Sequence, residues 1–567
     1  MGALYAIFAG PDAGSPAGER AAAEDAARLD ASLRGQGFRA GRRVALPGLI
    51  LGAHAPFCGG DPMLLETPDG DALAAAGTLI HRGATGMEAL RRLHADLRAG
   101  TLTDGDEPWG CFAVAGRVAS RRVLRTDGAG TFHLHADGAG RIVSSSFLAL
   151  AETLPRLSID PQGVYDHVFQ EAPHGGGTVF REIRLLSAGD GAALLPCPSG
   201  RRASLDEAAE RCLAVLHRRF AVLAELWGGK LDAALSGGYD SRLILALLRR
   251  CGAVPALHVY GAADSPDVRI ARAICAAEGL ALETVDKAAA GTPDPEAFAA
   301  QVEANFLALD GCPIDGLFDN GMDVRTRTAR SAGGRLALNG GGGEVFRDFF
   351  HLPPWGVSPA GLARRFYGGF DPSIAAGDFD ADAYLDGLAG RIAATLGVEP
   401  DRRLSAVQAE ALYPAFRCRW WMGRNASLNN RFGPALTPFV DPPVLRAALA
   451  SPPALKRGGR LQARMIALAD PALAAHPSAY GHAFDRPPPV AARAADLLLR
   501  LRPGWLPRRR RAGPLPALLT GPHREAVLPG RSEWVERFFR VERIGDPRQL
   551  ARVLTLEYLF RRTRPAA

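Results

Sequence analysis

Between Leu231 and Arg250 the chain reads LDAALSGGYDSRLILALLRR, with two glycines, an acid and two hydroxyls set between an apolar run of strand length and one of helix length. Gly237 and Gly238 let the backbone turn tightly and bring its N–H groups toward a ligand, and a helix opening near Ser241 points its positive end into the same space. That combination favours an anion. The hydroxyls of Ser236 and Ser241 can donate to phosphate oxygens, whereas Asp240 beside a phosphate calls for a bridging cation, and Mg2+ resolves the conflict. The spacing is neither GxxxxGK[ST], whose lysine is absent, nor GxGxxG. A glycine-rich turn with ordinary helix capping would use the same residues; the strand before and the helix after favour the ligand reading.

The elements that hold such a loop are legible around it. LDAAL, SRLILALLRRCG, PALHVYG, DVRIARAICAAEGL and LETVDK alternate strand with helix, which predicts βαβ units, a parallel sheet, and ligands collecting at the carboxyl ends of its strands. A mostly helical remainder follows, with another short strand at RLALNG. To about residue 195, short apolar runs (ALYAIFAG, AAGTLIH, CFAVAG, FHLHAD, RIVSSS) separated by Gly, Asp and Pro surround one helical stretch, GMEALRRLHADLRAG, and predict a strand-rich layered domain. LPCPSGRRAS, residues 195–204, reads as a linker, and SLDEAAERCLAVLHRRFAVLAEL then starts a long amphipathic helix with a Ser cap. The expected organisation is multidomain, α/β and α+β, with domains over residues 1–195 and 205–567.

At 567 residues the chain exceeds one ordinary domain, and a composition 47% apolar and 22% charged can build large cores. No apolar run approaches the ~20 residues of a membrane-spanning helix. MGALYAIFAG lacks a basic flank and reads as a buried first strand, not a signal peptide. Eight scattered cysteines without a CxxC pair read as reduced buried thiols in a cytoplasmic protein. The formal charge of +7 is spread over an Arg-rich chain, so nucleic acid is not the expected partner. One local run, RLRPGWLPRRRRAG from Arg500 to Gly513, could dock on phosphate, an anionic membrane or a carrier protein; a solvated loop is the plainer reading of Arg508 to Arg511.

SGGYDS resembles the SGGxDS pyrophosphate-binding loop of ATP pyrophosphatases, which cleave between the α and β phosphates and transfer AMP to an oxygen. Several families share that loop, including tRNA-modifying ligases and GMP synthetase, and the neighbouring segments narrow the choice. VYGAADSPDVRIARAICAAEGL, LALNGGGGEVFRDFF and RNASLNNRFGPALTPFVDPPVL resemble, in the same order, segments of the asparagine synthetase family. GCFAVAG, RTDGAGTFHLHADGAGRIVSSSFLAL and TVFREIRLLSAGD resemble the later strands of the class II glutamine amidotransferase domain that precedes that synthetase. The resemblance implies an Ntn-hydrolase-like αββα layered domain followed by a parallel-sheet, adenine nucleotide α-hydrolase-like (PP-loop) domain with helical additions. It implies ATP contacts at Leu235, Ser236, Gly237, Gly238, Asp240, Ser241, Val259, Ser265, Asp267, Leu338 and Gly340. Asp240 and Glu344 would serve catalysis and hold Mg2+.

Departures from the family's pattern bear on activity. A glutaminase of this class needs a cysteine as its mature first residue, whose thiol attacks the amide; position 2 is Gly2, and the first cysteine is Cys58. His81–Gly83 shares HRG with a family segment but lacks the Pro-Asp that follows, and reads as coincidence. Gly343 stands where the second loop usually has an Asp, and the late lysine that supports the transition state has no evident equivalent; Arg424, Arg431, His482 and Tyr480 are candidates for its charge or proton. Tyr239 and Arg242 replace Leu and Ser, hinting at a substrate other than aspartate. The expected activity is ATP-dependent adenylation of a small-molecule or peptide carboxylate and amide formation with ammonia or an amine, from a separate donor or within the substrate itself. A cyclase of the β-lactam synthetase or lasso type is the alternative in the same chemistry, and a non-catalytic scaffold, a tRNA-modifying ligase and a homodimer are further readings left open.

Overall fold

The computed structural model describes residues 2–8, 15–39, 41–103, 105–186, 203–353, 355–377, 379–501 and 514–566. Most of the expected linker and the whole run Arg508 to Arg511 lie outside these residues. The chain is a mixed α/β protein, with two antiparallel sheets and one parallel sheet among the described residues.

The first part runs β1 (Ala3–Phe8), α1 (Pro16–Gly35), β2 (Gly41–Leu46), β3 (Leu49–His54), β4 (Met63–Glu66), β5 (Ala72–His81), β6 (Ala84–Thr85), α2 (Gly86–Ala99), β7 (Trp109–Val118), β8 (Arg121–Thr126), β9 (His135–Asp137), β10 (Ile142–Ser144), α3 (Phe147–Thr153), α4 (Pro161–Gln170) and β11 (Ile183–Leu185). One antiparallel sheet has the order β11-β9-β10-β1-β3-β2; the other is β4-β5-β7-β8, with β6 on β5. Alternation along each strand separates two faces. Leu4 and Ala6 of β1 share a core with Ala72, Ala74 and Ala76 of β5 and Ala113 and Ala115 of β7, so the two sheets pack face to face. Tyr5 and Ile7 point the other way, onto Ala26, Leu29 and Leu33 of α1. Leu73, Ala75 and Leu79 meet Ala89, Leu90 and Leu93 of α2. The layer order is helix, sheet, sheet, helix.

The second part opens with α5 (Leu205–Trp227), started by a capping box between Ser204 and Glu207. Then come β12 (Leu231–Ala234), α6 (Tyr239–Arg250), β13 (Ala256–Tyr260), α7 (Pro266–Glu278), β14 (Leu282–Val285), α8 (Pro295–Ala308), α9 (Met322–Ser331), β15 (Leu336–Leu338) and β16 (Ala435–Leu436), with further helices between and after the last two strands. The sheet order is β14-β13-β12-β15-β16, every pair parallel. The chain therefore steps outward from β12 to β14, then returns to the other side of β12 for β15. The strand order reverses between β12 and β15, which opens a crevice at their carboxyl ends. No helix among the described residues is long and apolar enough to cross a membrane.

A polar seam joins the parts. Thr78 Oγ1 donates to Asn430 Oδ1 (2.8 Å) and accepts from the Ala435 N–H (3.0 Å), and the His133 N–H donates to Ser427 Oγ (2.7 Å). Arg424 and Arg431, candidates for a transition-state charge, lie in this seam instead of at the loop: both reach the carboxylate of Asp310, at 2.9 and 3.4 Å. Burial alone would raise that carboxyl, but the two guanidiniums and the Ser146 hydroxyl hold it well below the ordinary range. Gly2 is buried with its N–H on Asn430 O, and a Cβ there would stand 1.9 Å from His54 O. A cysteine side chain has no room at this position. His81 and Arg82 of the HRG segment are both bound to Asp96, at 2.6 and 2.7 Å, which is a structural role.

Candidate functional site

The glycine loop leaves β12 at the point where the strand order reverses. Ser236 and Ser241 close it upon itself: the Ser236 N–H donates to Ser241 Oγ (3.0 Å), the two hydroxyls are 3.0 Å apart, and the Gly238 N–H donates to Ser236 Oγ (3.2 Å). Gly238 is the N-cap of α6 and offers no side chain to cap it, so the helix's first-turn N–H groups lack an N-cap partner. The Gly237 N–H donates to Asp267 Oδ1 at 2.9 Å. That donor is therefore occupied within the protein by a carboxylate. A Cβ at Gly237 would meet Ala479 at 2.8 to 2.9 Å, and the Ala479 N–H donates to Gly237 O (2.9 Å), so a segment distant in sequence lies directly against the loop.

Tyr239 and Arg242 pin that segment down. The Tyr239 ring stacks on Phe484 at 4.1 Å and packs near Tyr480 at 4.6 Å. Arg242, fully buried, donates to the carbonyls of His476 and Pro477, each at 2.8 Å. Tyr239 and Arg242 therefore position the segment across the loop.

The second loop follows β15 and rests on the first. A Cβ at Gly340 would meet Asp240 Cβ at 2.9 Å, and one at Gly343 would meet Asp240 Oδ1 at 2.0 Å. A side chain at position 343 would force the Asp240 carboxylate out of its present place. A Cβ at Gly342, which has φ +85°, would meet Val440 of the PFVD segment at 2.6 Å. Asp240 Oδ2 accepts from Arg347 Nη2 and Oδ1 from Gln462 Nε2, both at 2.7 Å. Arg347 Nη2 also lies 3.5 Å from Glu344 Oε1, its Nη1 donates to Tyr480 Oη (3.2 Å), and Glu344 Oε2 accepts from the Tyr413 hydroxyl. Burial pushes the Asp240 carboxyl above the usual carboxylate range, Arg347 opposes that rise and Glu344 adds to it.

No family model matches the chain, and no curated protein matches it. The reading of the site therefore stands on its geometry.

Asp240 and Glu344 come together as expected, but around a guanidinium. Both oxygens of Asp240 are taken by Arg347 and Gln462, and no group of three or more His, Cys, Asp or Glu among the described residues is arranged to hold a metal ion. The pair does not fit a divalent ion of its own. The remaining expected contacts divide by accessibility. Leu235, Val259 and Leu338 are buried, at 0%, 2% and 1% exposure, and can reach a nucleotide only through backbone groups. Ser265 caps α7, Asp267 holds the first loop, and Gly340 spaces the two loops. Arg347 and Gln462 were not anticipated from sequence. Arg347 follows Glu344 by three residues, a spacing that marks a local ion pair; nothing in the sequence points to Gln462.

Two cavities open on the loops. One, about 460 Å³, is bounded by Tyr260 at the end of β13, by Asn339, Gly341 and Gly342 after β15, and by Glu344. The other, about 840 Å³, is bounded by Tyr239, Arg347, Tyr480 and, again, Glu344. Glu344 belongs to the wall between them.

Proposed function

We propose that this chain is an ATP-dependent carbon–nitrogen ligase of the asparagine synthetase type, with residues 1–195 as a degenerate amidotransferase-like domain and residues 205–567 as the synthetase domain. One observation carries the reading: a glycine loop with helix-terminal donors, closed by Ser236 and Ser241, sits where the order of a parallel sheet reverses. In this reading the substrate carboxylate attacks the α-phosphorus of ATP, the bond to the β-phosphate oxygen breaks and pyrophosphate departs. An amine or ammonia then attacks the acyl carbon and AMP leaves with the electron pair. The first-turn N–H groups of α6 and Arg347 stabilise charge that builds on the departing pyrophosphate, the kind of preorganised electrostatics that usually contributes most. Mg2+ belongs to this reading as the counter-ion ATP brings with it. Asp240 orients Arg347.

The chain supplies no ammonia of its own in this scheme, because Gly2 leaves no room for a nucleophile. A second reading within the same chemistry, a cyclase or amidating enzyme acting on a larger substrate, is favoured by the cavities, since each of the two, at about 460 and about 840 Å³, is large enough for a separate ligand. ATP–pyrophosphate exchange, screened against candidate carboxylates with ammonia omitted, tests the reading. Carboxylate-dependent exchange that vanishes in Asp240→Ala is the expected result; nucleotide binding without exchange for any carboxylate would instead favour a scaffold.

A further inference from the structure

The cavity of about 840 Å³ beside Arg347 is cationic, and part of its charge is unused inside the protein. Arg347 is held by Asp240 at 2.7 Å, and Arg500 by Asp348 and by Asp496 at 2.8 Å. The acids on the wall are committed in turn, Glu344 to Tyr413 and Arg347, Asp348 and Asp496 to Arg500. Arg457, Arg460 and Arg493 remain. All three are exposed, and among the described residues none makes a side-chain hydrogen bond or ion pair.

Their placement ties them to the glycine loop. Arg457 and Arg460 flank Gly458 and Gly459, both at positive φ (+62° and +74°), and a Cβ at Gly459 would meet the Tyr239 ring at 2.6 Å. This turn is therefore pressed against the residue that precedes Asp240. Arg493 reaches the same cavity from the separate helix Val490–Leu501.

We propose that this cavity binds a polyphosphate anion of the pyrophosphate class, held by Arg457, Arg460 and Arg493 with Arg347 at its inner end. Forked guanidinium donors suit phosphate oxygens, and three unpaired forks around one space suit an anion with more oxygens than a single carboxylate offers. Two sources share this chemistry: pyrophosphate parted from ATP in the reaction proposed above, or a diphosphate carried by a second substrate. The inference rests on the cavity and does not require adenylation.

Titration calorimetry of the full chain with inorganic pyrophosphate, without nucleotide, tests it. The unaltered protein binds pyrophosphate, and R457Q/R460Q/R493Q, with an unchanged melting temperature, binds about tenfold more weakly, since three exposed charge pairs each contribute a few-fold. Added salt weakens the binding of the unaltered protein. A repeat with α,β-methylene-ATP present separates the sources: displacement of pyrophosphate identifies the ATP-derived anion, and simultaneous binding identifies a second substrate. Pyrophosphate binding together with no nucleotide binding would remove the ligase reading and leave this one standing. No pyrophosphate binding, or equal affinity in the triple variant, overturns it.

Discussion

Replacing Arg347 by Met removes the cation that Asp240 and Glu344 share while keeping much of the side-chain volume. Asp240 Oδ2 lies 2.7 Å from the guanidinium, and the two side chains keep only 24% and 18% exposure, so a partly buried carboxylate is left unpaired. Breaking a buried pair in this way costs about 3 to 5 kcal/mol, and the residual exposure argues for the lower end, about 3 kcal/mol. Because one continuous core joins the two parts, all 567 residues are taken to unfold together, and an unfolding entropy of about 2.1 cal/mol/K per residue converts that into about 2.5 °C of melting temperature. The sign of the pH dependence follows from Asp240, whose carboxyl is already raised by burial. Without Arg347 it rises further, so the folded variant binds a proton more tightly than the unfolded chain. Its stability is then greatest in mild acid and is lost as pH rises through the raised value. Thermal melts at pH 5 and pH 8 should show R347M more damaging at pH 8, and D240N/R347M should recover most of the loss and remove the pH dependence. Equal losses at both pH values, or a double variant as unstable as R347M, would refute the claim that Arg347 compensates a buried carboxylate.

Gly343→Ala should displace Asp240 from Gln462, cost about 1 to 3 kcal/mol in thermal melts and weaken nucleotide binding, whereas Gly390→Ala, with open space at its Cβ in the helix Ala381–Leu396, should be neutral or stabilising. Gly2→Cys should yield no ammonia from glutamine above background, and its melting temperature should fall because the new Cβ meets His54 O. Three buried histidines set an acid limit: burial depresses His133 to about 4 and His135 and His167 each to about 3. Their folded values lie below the unfolded value of ~6.5, so the stability they contribute is present above that pH and lost below it, about 2 kcal/mol for each at pH 5. Melts from pH 7.5 to 5 should fall steadily across this window, and a flat profile would count against neutral burial.

Local pattern carried much of the fold. The strand and helix segments between 231 and 287 form the parallel elements they suggest, because alternation and turn chemistry act over a few residues. The Ser cap at 204 and the helix Gly86–Ala99 were legible for the same reason. Contacts between distant segments were not. Arg424 is a candidate for the transition-state charge in the sequence because Asp310, 114 residues away, becomes its partner only in the folded chain. Gln462 reaches Asp240 across 222 residues, and Ala479 reaches Gly237 in the same way. Tyr239 and Arg242 stood out as unusual, yet their purpose depends on a segment that no spacing connects to them.

The seam between the two parts gives the first part an occupation that outlasts any chemistry. Helix Gly423–Phe432 presents Asn430, Ser427 and Arg424 to the sheets and helix starts of the first part, which answer with Thr78, His133 and, through Asp310, Ser146. Stripped of that counterpart, the second part would expose the apolar faces that the two parts now bury in one continuous core, along with donors and acceptors shaped for neighbours no longer present. The layered sheets thus cover one flank of the loop-bearing half and complete its polar and apolar contacts.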